Sequence, residues 1–247
     1  MKRRSFLAGL AASAPFGASA KSTASNAEAL SGDRFTVDGA EFLLADIAAP
    51  PLYTLASETP AYFGAARRAL QTSLAGVIEI EDVLPATRWG VRVVHVRRPQ
   101  AQETLQEMLI AAGAARVAPQ TGGHDFIKRL FALEEDARIS RRGLWALAGY
   151  RIFNADSAWG AVGGFHLVEG TVARVAQFSG RFYLNFGEDY RTDFTAGATS
   201  ALYRRWAEAA DDLATFSGAR IRVRGLVEAI NGPSIDLKHP LQVERLE

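Results

Sequence analysis

The chain has 247 residues, 28 lysines and arginines against 27 aspartates and glutamates, four histidines and no cysteine. A formal charge of +1 excludes nucleic-acid binding by bulk charge, so any such binding must rest on a local patch. The missing cysteines exclude disulfides, thiolate metal centres and a cysteine nucleophile, and the length suits one large or two small domains.

Residues 1–20, MKRRSFLAGLAASAPFGASA, have a basic start, an apolar middle and a small-residue ending at Ala18-Ser19-Ala20, the pattern of a cleavable signal peptide. Arg3-Arg4-Ser5-Phe6-Leu7 looks like a twin-arginine export signal. The apolar run is broken by Ser13, Pro15 and Gly17 and falls short of the roughly 20 residues that a bilayer anchor needs. The expectation is a periplasmic or secreted protein with no stable membrane span after signal removal. Losing Lys2, Arg3 and Arg4 takes the formal charge to −2.

Residues 21–30, KSTASNAEAL, are small and polar and read as a flexible lead-in. RFTVDGAEFLLADI then alternates around Asp38-Gly39, a hairpin signal. A helix is predicted from about Pro60, with Phe63, Ala66, Arg67, Leu70 and Leu74 at helical spacing and Gly76 as its stop. VIEIEDV and RWGVRVVHV return to strand period, separated by Pro85. A second helix places Leu105, Met108, Leu109 and Ala112 inward and ends near Gly113. A third runs from about Asp125 to Arg142 and closes at Gly143, with Leu144-Trp145 tucked back as a hydrophobic stop. Residues 150–163 read as a linker. After it come three strand runs, a helix carrying Leu202, Trp206, Ala210 and Leu213, and two further strands split by Asn231-Gly232-Pro233. Three strands, a helix and two strands is the element order of an OB-fold. The fold class expected is α+β, mostly β: two OB-type barrels over 31–149 and 164–247, the first with helices packed on it.

Within 31–147, SGDRF, FLLADIAAP, WG, LIAAGAARV and ARISRRGLW stand in the order of the staphylococcal nuclease landmarks, and the region resembles that family's domain. The resemblance implies phosphodiester hydrolysis with a divalent cation held by carboxylates and arginines neutralising the phosphate. Carried over position by position, the first metal-binding aspartate falls on Asp33, but the first arginine falls on Leu43, the second aspartate on Ala48, the glutamate on Pro51 and the second arginine on Val91. One position of the five keeps its chemistry, so the motif marks the fold and the leading expectation is a non-catalytic protein with no cofactor. The alternative is a calcium-dependent phosphodiesterase in which Asp33 and Asp46 hold the cation and Arg92 replaces the lost arginine. Asp46 is two residues from Ala48 and shares its strand face, whereas Arg92 needs a bulge after Gly90 to reach the face of Val91. His95, His124, His166 and His239 are scattered without metal spacing.

The C-terminal half is denser in binding chemistry. YLNFGEDYRTDF sets Tyr183 and Tyr190 among Arg181 and Arg191, and Arg220, Arg222 and Arg224 alternate along one strand and share a face. Aromatics and arginines on an OB face suit single-stranded nucleic acid or another polyanion. The competing expectation is that Glu188, Asp189 or Asp193 quenches the arginine row across the sheet, leaving a cell-envelope module that binds a protein.

Overall fold

The structure, a computed structural model, describes residues 21–50, 62–207 and 213–246. The signal-like segment with Arg3 and Arg4, the Pro51 position and the helix start at Pro60 lie outside the described residues.

Apolar-polar alternation builds the N-terminal sheet. β1 (Lys21–Ala24) and β2 (Glu28–Ala29) precede the hairpin of β3 (Arg34–Val37) and β4 (Ala40–Leu44). At its tip Asp38 and Gly39 have φ of 48° and 79°, the sign that a two-residue primed turn requires. β5 (Ile47–Ala48) and α1 (Phe63–Ser73) follow, then β6 (Ile78–Leu84) and β7 (Arg92–Arg97). Sheet order is β1-β6-β7-β4-β3-β2, with β4 and β7 parallel. The expected lead-in is thus partly built into the sheet: β1 pairs with β6 and β2 with β3. Backbone hydrogen bonding decides there, because the small polar side chains of 21–30 carry little pattern of their own.

α2 (Leu105–Ala111) starts at a capping box in which Thr104 and Glu107 satisfy each other's backbone amides. β8 (Arg116–Val117) and α3 (His124–Ile139) complete this unit. Leu70 and Leu74 of the first helical segment, Leu105 and Leu109 of the second, and Ile127 and Leu130 of the third pack on Phe35, Leu44, Ile80 and Val94 of the sheet. Two glycines explain why the landmarks LIAAGAARV and ARISRRGLW belong together. Gly113 and Gly143 have φ of 67° and 55°, and Leu144 N–H donates to Gly113 O at 2.9 Å. A Cβ on Gly113 would sit 2.3 Å from Arg142 O, and one on Gly143 would sit 2.2 Å from Gly113 O.

The expected linker is ordered. It contributes β9 (Phe153–Asn154), parallel to β10 (Phe165–Thr171), and a 3-10 segment over Ala155–Ala161 whose Ala158 and Ala161 are buried. Then come β11 (Arg174–Phe178), β12 (Arg181–Asn185), β13 (Thr195–Thr199), α4 (Ser200–Ala207), β14 (Arg220–Ala229), β15 (Pro233–Leu237) and β16 (Val243–Arg245). Sheet order is β11-β12-β13-β15-β14-β10-β9, with β16 on β14. The second unit is a strongly curled half-barrel, its core formed by Phe194, Ala196, Ile221, Val223, Val227 and Ile235.

The two units share buried contacts. Leu167 joins Ala137, Leu144 and Trp145, and His239 Nε2 lies 2.8 Å from Thr121 O. Arg116, fully buried, donates to Phe165 O at 2.7 Å and to Tyr150 O. No helix among the described residues is long and apolar enough to cross a membrane.

Candidate functional site

The nuclease-like position is assembled by the turn before β3, the β3–β4 hairpin and the turn before β7. Gly32 presses that first turn onto its neighbours: a Cβ there would sit 2.6 Å from Ala49 Cβ and 2.7 Å from Ala66 Cβ. Asp33 is held beside it, with Oδ1 accepting from Ser31 Oγ at 2.6 Å and Oδ2 from Ala49 N–H at 3.0 Å. Burial raises its pKa above the ordinary aspartate value, and the two hydrogen bonds do not offset that. The other transferred positions bring no charge: Leu43 and Ala48 are half-buried and Val91 is buried.

The substitutes are engaged elsewhere. Asp46 is fully buried at a φ of 63°. Its Oδ1 accepts from the amides of Gln120 and Thr121 at 2.7 and 2.8 Å, and its Oδ2 accepts from Thr121 Oγ1 at 2.7 Å and lies 3.0 Å from His95 Nε2. Burial alone pushes this carboxyl up, but the hydrogen bonds from His95, Thr121 and Gln120 outweigh it and hold the pKa below its ordinary value. Arg92 forks onto Asp82 at 2.9 and 2.6 Å, with its guanidinium 4.9 Å from the Phe42 ring. Among the described residues no group of three or more His, Asp or Glu is placed to hold a metal ion. The donors among the described residues do not fit calcium: Asp46 spends its oxygens on backbone amides, a threonine hydroxyl and a histidine, and Asp33 carries a burial-raised pKa. Sequence reasoning passed over Trp89, a residue 76% exposed, with the Arg88 guanidinium 4.5 Å from its ring; the WG landmark was its only signal.

The arginine row is real as geometry, but it is paired along its length and open only at Arg220, whose side chain is 58% exposed. Arg220, Arg222 and Arg224 share a face of β14 while Ile221 and Val223 enter the core. Glu169 on β10, the cross-strand partner of Arg222, accepts from Arg220 at 3.0 Å and from Arg222 at 2.7 and 2.9 Å. Glu244 on β16 pairs with Arg224 and lies 3.8 Å from Arg222. Arg224 is 1% exposed and also donates to Glu134 at 2.8 Å and Val117 O at 3.0 Å, with its guanidinium 4.3 Å from the Phe131 ring. Three glutamates thus face three arginines, in place of the acids expected from sequence. Asp189 and Asp193 instead close their own loop: Asp193 Oδ2 accepts from Asp189 N–H at 2.9 Å.

The remaining predicted residues meet on the outer face of β11, β12, β13 and β15, in a groove of about 780 Å³. Arg181, Tyr183 and Tyr190 line it, and Arg191 stands 5.5 Å above the Tyr190 ring. Tyr183 lies opposite Gly197, where a Cβ would come 3.4 Å from its ring. Arg181 is ion-paired with Asp236. The rim carries Phe178, 74% exposed, and Tyr190, 49% exposed, while Asn185 and Thr195 form a buried polar floor. Arg174, Phe178, Glu228 and Asp236 were not singled out from sequence, although Arg174, Ala176 and Phe178 share a face by period two. A second cavity, about 660 Å³, lies on the N-terminal sheet beside His95 and Phe126. Its charges are matched, Lys21 with Glu81 at 3.5 Å and Arg97 with Glu79 at 2.8 Å.

Residues 41–147 match the family model of the staphylococcal nuclease homologue, and the N-terminal unit is a staphylococcal-nuclease-like domain. No curated protein matches the chain.

Proposed function

We propose that this chain is an exported, non-catalytic binding protein in which the nuclease-like domain serves as scaffold and the outer face of the second sheet takes an extended ligand. The observation that carries the reading is the groove over β11, β12, β13 and β15. There Tyr183, Tyr190 and Phe178 gather beside a polar floor, the combination of apolar walls and few convergent polar groups that marks ligand sites. Export rests on the twin-arginine-like segment at Arg3-Arg4. A nucleic acid or other polyanion, the partner suggested by the arginine-rich strand, has less support than the strand's sequence implies, because Glu169, Glu244 and Glu134 occupy that row. Arg174 and Arg191, exposed in and beside the groove, are cations open to such a ligand, whereas Arg181 is paired with Asp236.

The catalytic side of the proposal is tested by incubating the purified chain with single- and double-stranded DNA, with calcium and with chelator. The expected result is no cleavage above a buffer control under either condition. Calcium-dependent cleavage that disappears in Asp33→Ala overturns the reading and restores the phosphodiesterase.

A further inference from the structure

The groove's lining carries more information than its existence. Five cross-strand partners form one continuous row on its face: Arg174 with Asn185, Asn185 with Thr195, Thr195 with Ser234, and Ser234 with Glu228. All five line the groove. At the usual strand spacing the row extends about 19 Å, long enough for several sugar rings in a chain. It carries guanidinium, amide, two hydroxyls and carboxylate in sequence; Asn185 donates to Arg174 O at 3.4 Å, Thr195 Oγ1 to Asn185 Oδ1 at 3.5 Å and Ser234 Oγ to Glu228 O at 3.3 Å, which leaves the hydroxyl lone pairs, one amide N–H, the guanidinium and the carboxylate for a ligand. The neighbouring row runs Ala176, Tyr183, Gly197 and Asp236, so the Tyr183 ring stands where its cross-strand neighbours are small.

The charge balance decides between ligand classes. Arg174 and Arg181 in the lining are matched by Glu228 and Asp236, and Arg181 is already paired with Asp236. A polyanion needs surplus cations, about one per phosphate contacted, and the two exposed carboxylates in the lining repel it. The same carboxylates, with Asn185, Thr195 and Ser234, are suited to accept from and donate to hydroxyl groups. Exposed aromatic rings take the apolar faces of saturated rings by dispersion and weak C–H contacts.

We propose that the groove binds a neutral, hydroxyl-rich chain of rings, an oligosaccharide; this rests on the reading of the groove as the ligand site. The test is a titration of isotope-labelled full-length protein, followed by backbone amide shifts, with three probes: cellohexaose, N-acetylchitohexaose and hexathymidylate. At least one glycan shifts amides of β11, β12, β13 and β15, with an affinity that changes little between low and high salt. Tyr183→Ala weakens it about tenfold, the equivalent of one lost stacking contact, and Tyr183→Phe retains most of it; well-dispersed spectra of both variants show that the fold is kept. Shifts from hexathymidylate alone overturn the oligosaccharide and leave the groove as the site. No groove shift with any of the three overturns both the ligand class and the groove reading.

Discussion

The nuclease-like cleft and the outer face of the second sheet use their polar side chains in opposite directions. In the cleft, Asp33 and Asp46 turn inward and spend their oxygens on Ser31, Ala49, Gln120, Thr121 and His95. In the groove, Arg174 and Glu228 are exposed and line open space. The same contrast divides the arginines. Arg224 is sealed between Glu134 and Glu244 at the junction of the two units, whereas Arg174 is exposed on the edge strand β11. Charge type and strand period are alike in the two arginines. What separates them is which neighbour covers the face.

The largest effect should come from breaking the sealed side. Glu134→Ala removes the acceptor of both Arg224 and Val117 N–H and leaves a buried guanidinium short of a partner. Chemical denaturation should show a loss of about 3–5 kcal/mol, while Arg174→Gln stays within about 0.5 kcal/mol of wild type. Equal costs for the two variants would erase the contrast.

Acid should attack the same junction. His166 Nδ1 lies 3.2 Å from Arg116 Nη1, and burial, with the Arg116 charge second, lowers its pKa from 6.5 to about 4. Between those values the unfolded chain takes up a proton that the folded one refuses, so stability falls as pH drops from 6.5 towards 4. The full loss is of order 3 kcal/mol. Replacement by phenylalanine should flatten this part of the pH–stability curve.

The two aspartates sharpen the comparison within the cleft. Asp46 has a lowered pKa, so its ionised form stabilises the fold above pH 3.8 and that contribution is lost as pH falls through the folded value. Asp46→Asn should therefore cost about 1–3 kcal/mol at neutral pH and progressively less in acid. Asp33 has a raised pKa, and ionisation subtracts stability at neutral pH. Asp33→Asn, which keeps an acceptor for Ala49 N–H and a donor towards Ser31 Oγ, should raise the melting temperature slightly at pH 7, with no gain below pH 3.8. A calcium-dependent rise in melting temperature that Asp33→Asn abolishes would instead assign that carboxylate to a cation.

Much of the fold was legible because its signals are local. Phe63, Ala66, Leu70 and Leu74 face the core at helical spacing, Asp38-Gly39 turns the hairpin, and Gly113 and Gly143 sit where left-handed backbone meets close packing. β1 and β2 escaped because their pairing lies in backbone hydrogen bonds, β1 with the distant β6 and β2 with the neighbouring β3, and not in a side-chain pattern of their own. In the candidate site, Tyr183, Tyr190 and Arg181 were readable as aromatics interleaved with arginine. The fate of Arg224 was not, since its partners Glu134 and Val117 are 90 and 107 residues away and nothing in strand period reports what packs on the outer face. Glu169 was within reach of a pairing argument, but it required knowing that β10 and not the 187–194 loop lies beside β14.

The central claim is that Arg174 and Arg191 at the groove stand open to a ligand while Arg224 of β14 is sealed. Phenylglyoxal modification of the folded protein, with sites mapped by mass spectrometry over time, tests it directly. Arg174 and Arg191, both exposed, should react early, and Arg224 and Arg116, both buried, should stay unmodified until the protein is denatured. Modification of Arg224 as fast as Arg174 in the folded state would contradict the account and return the β14 row as an open basic face.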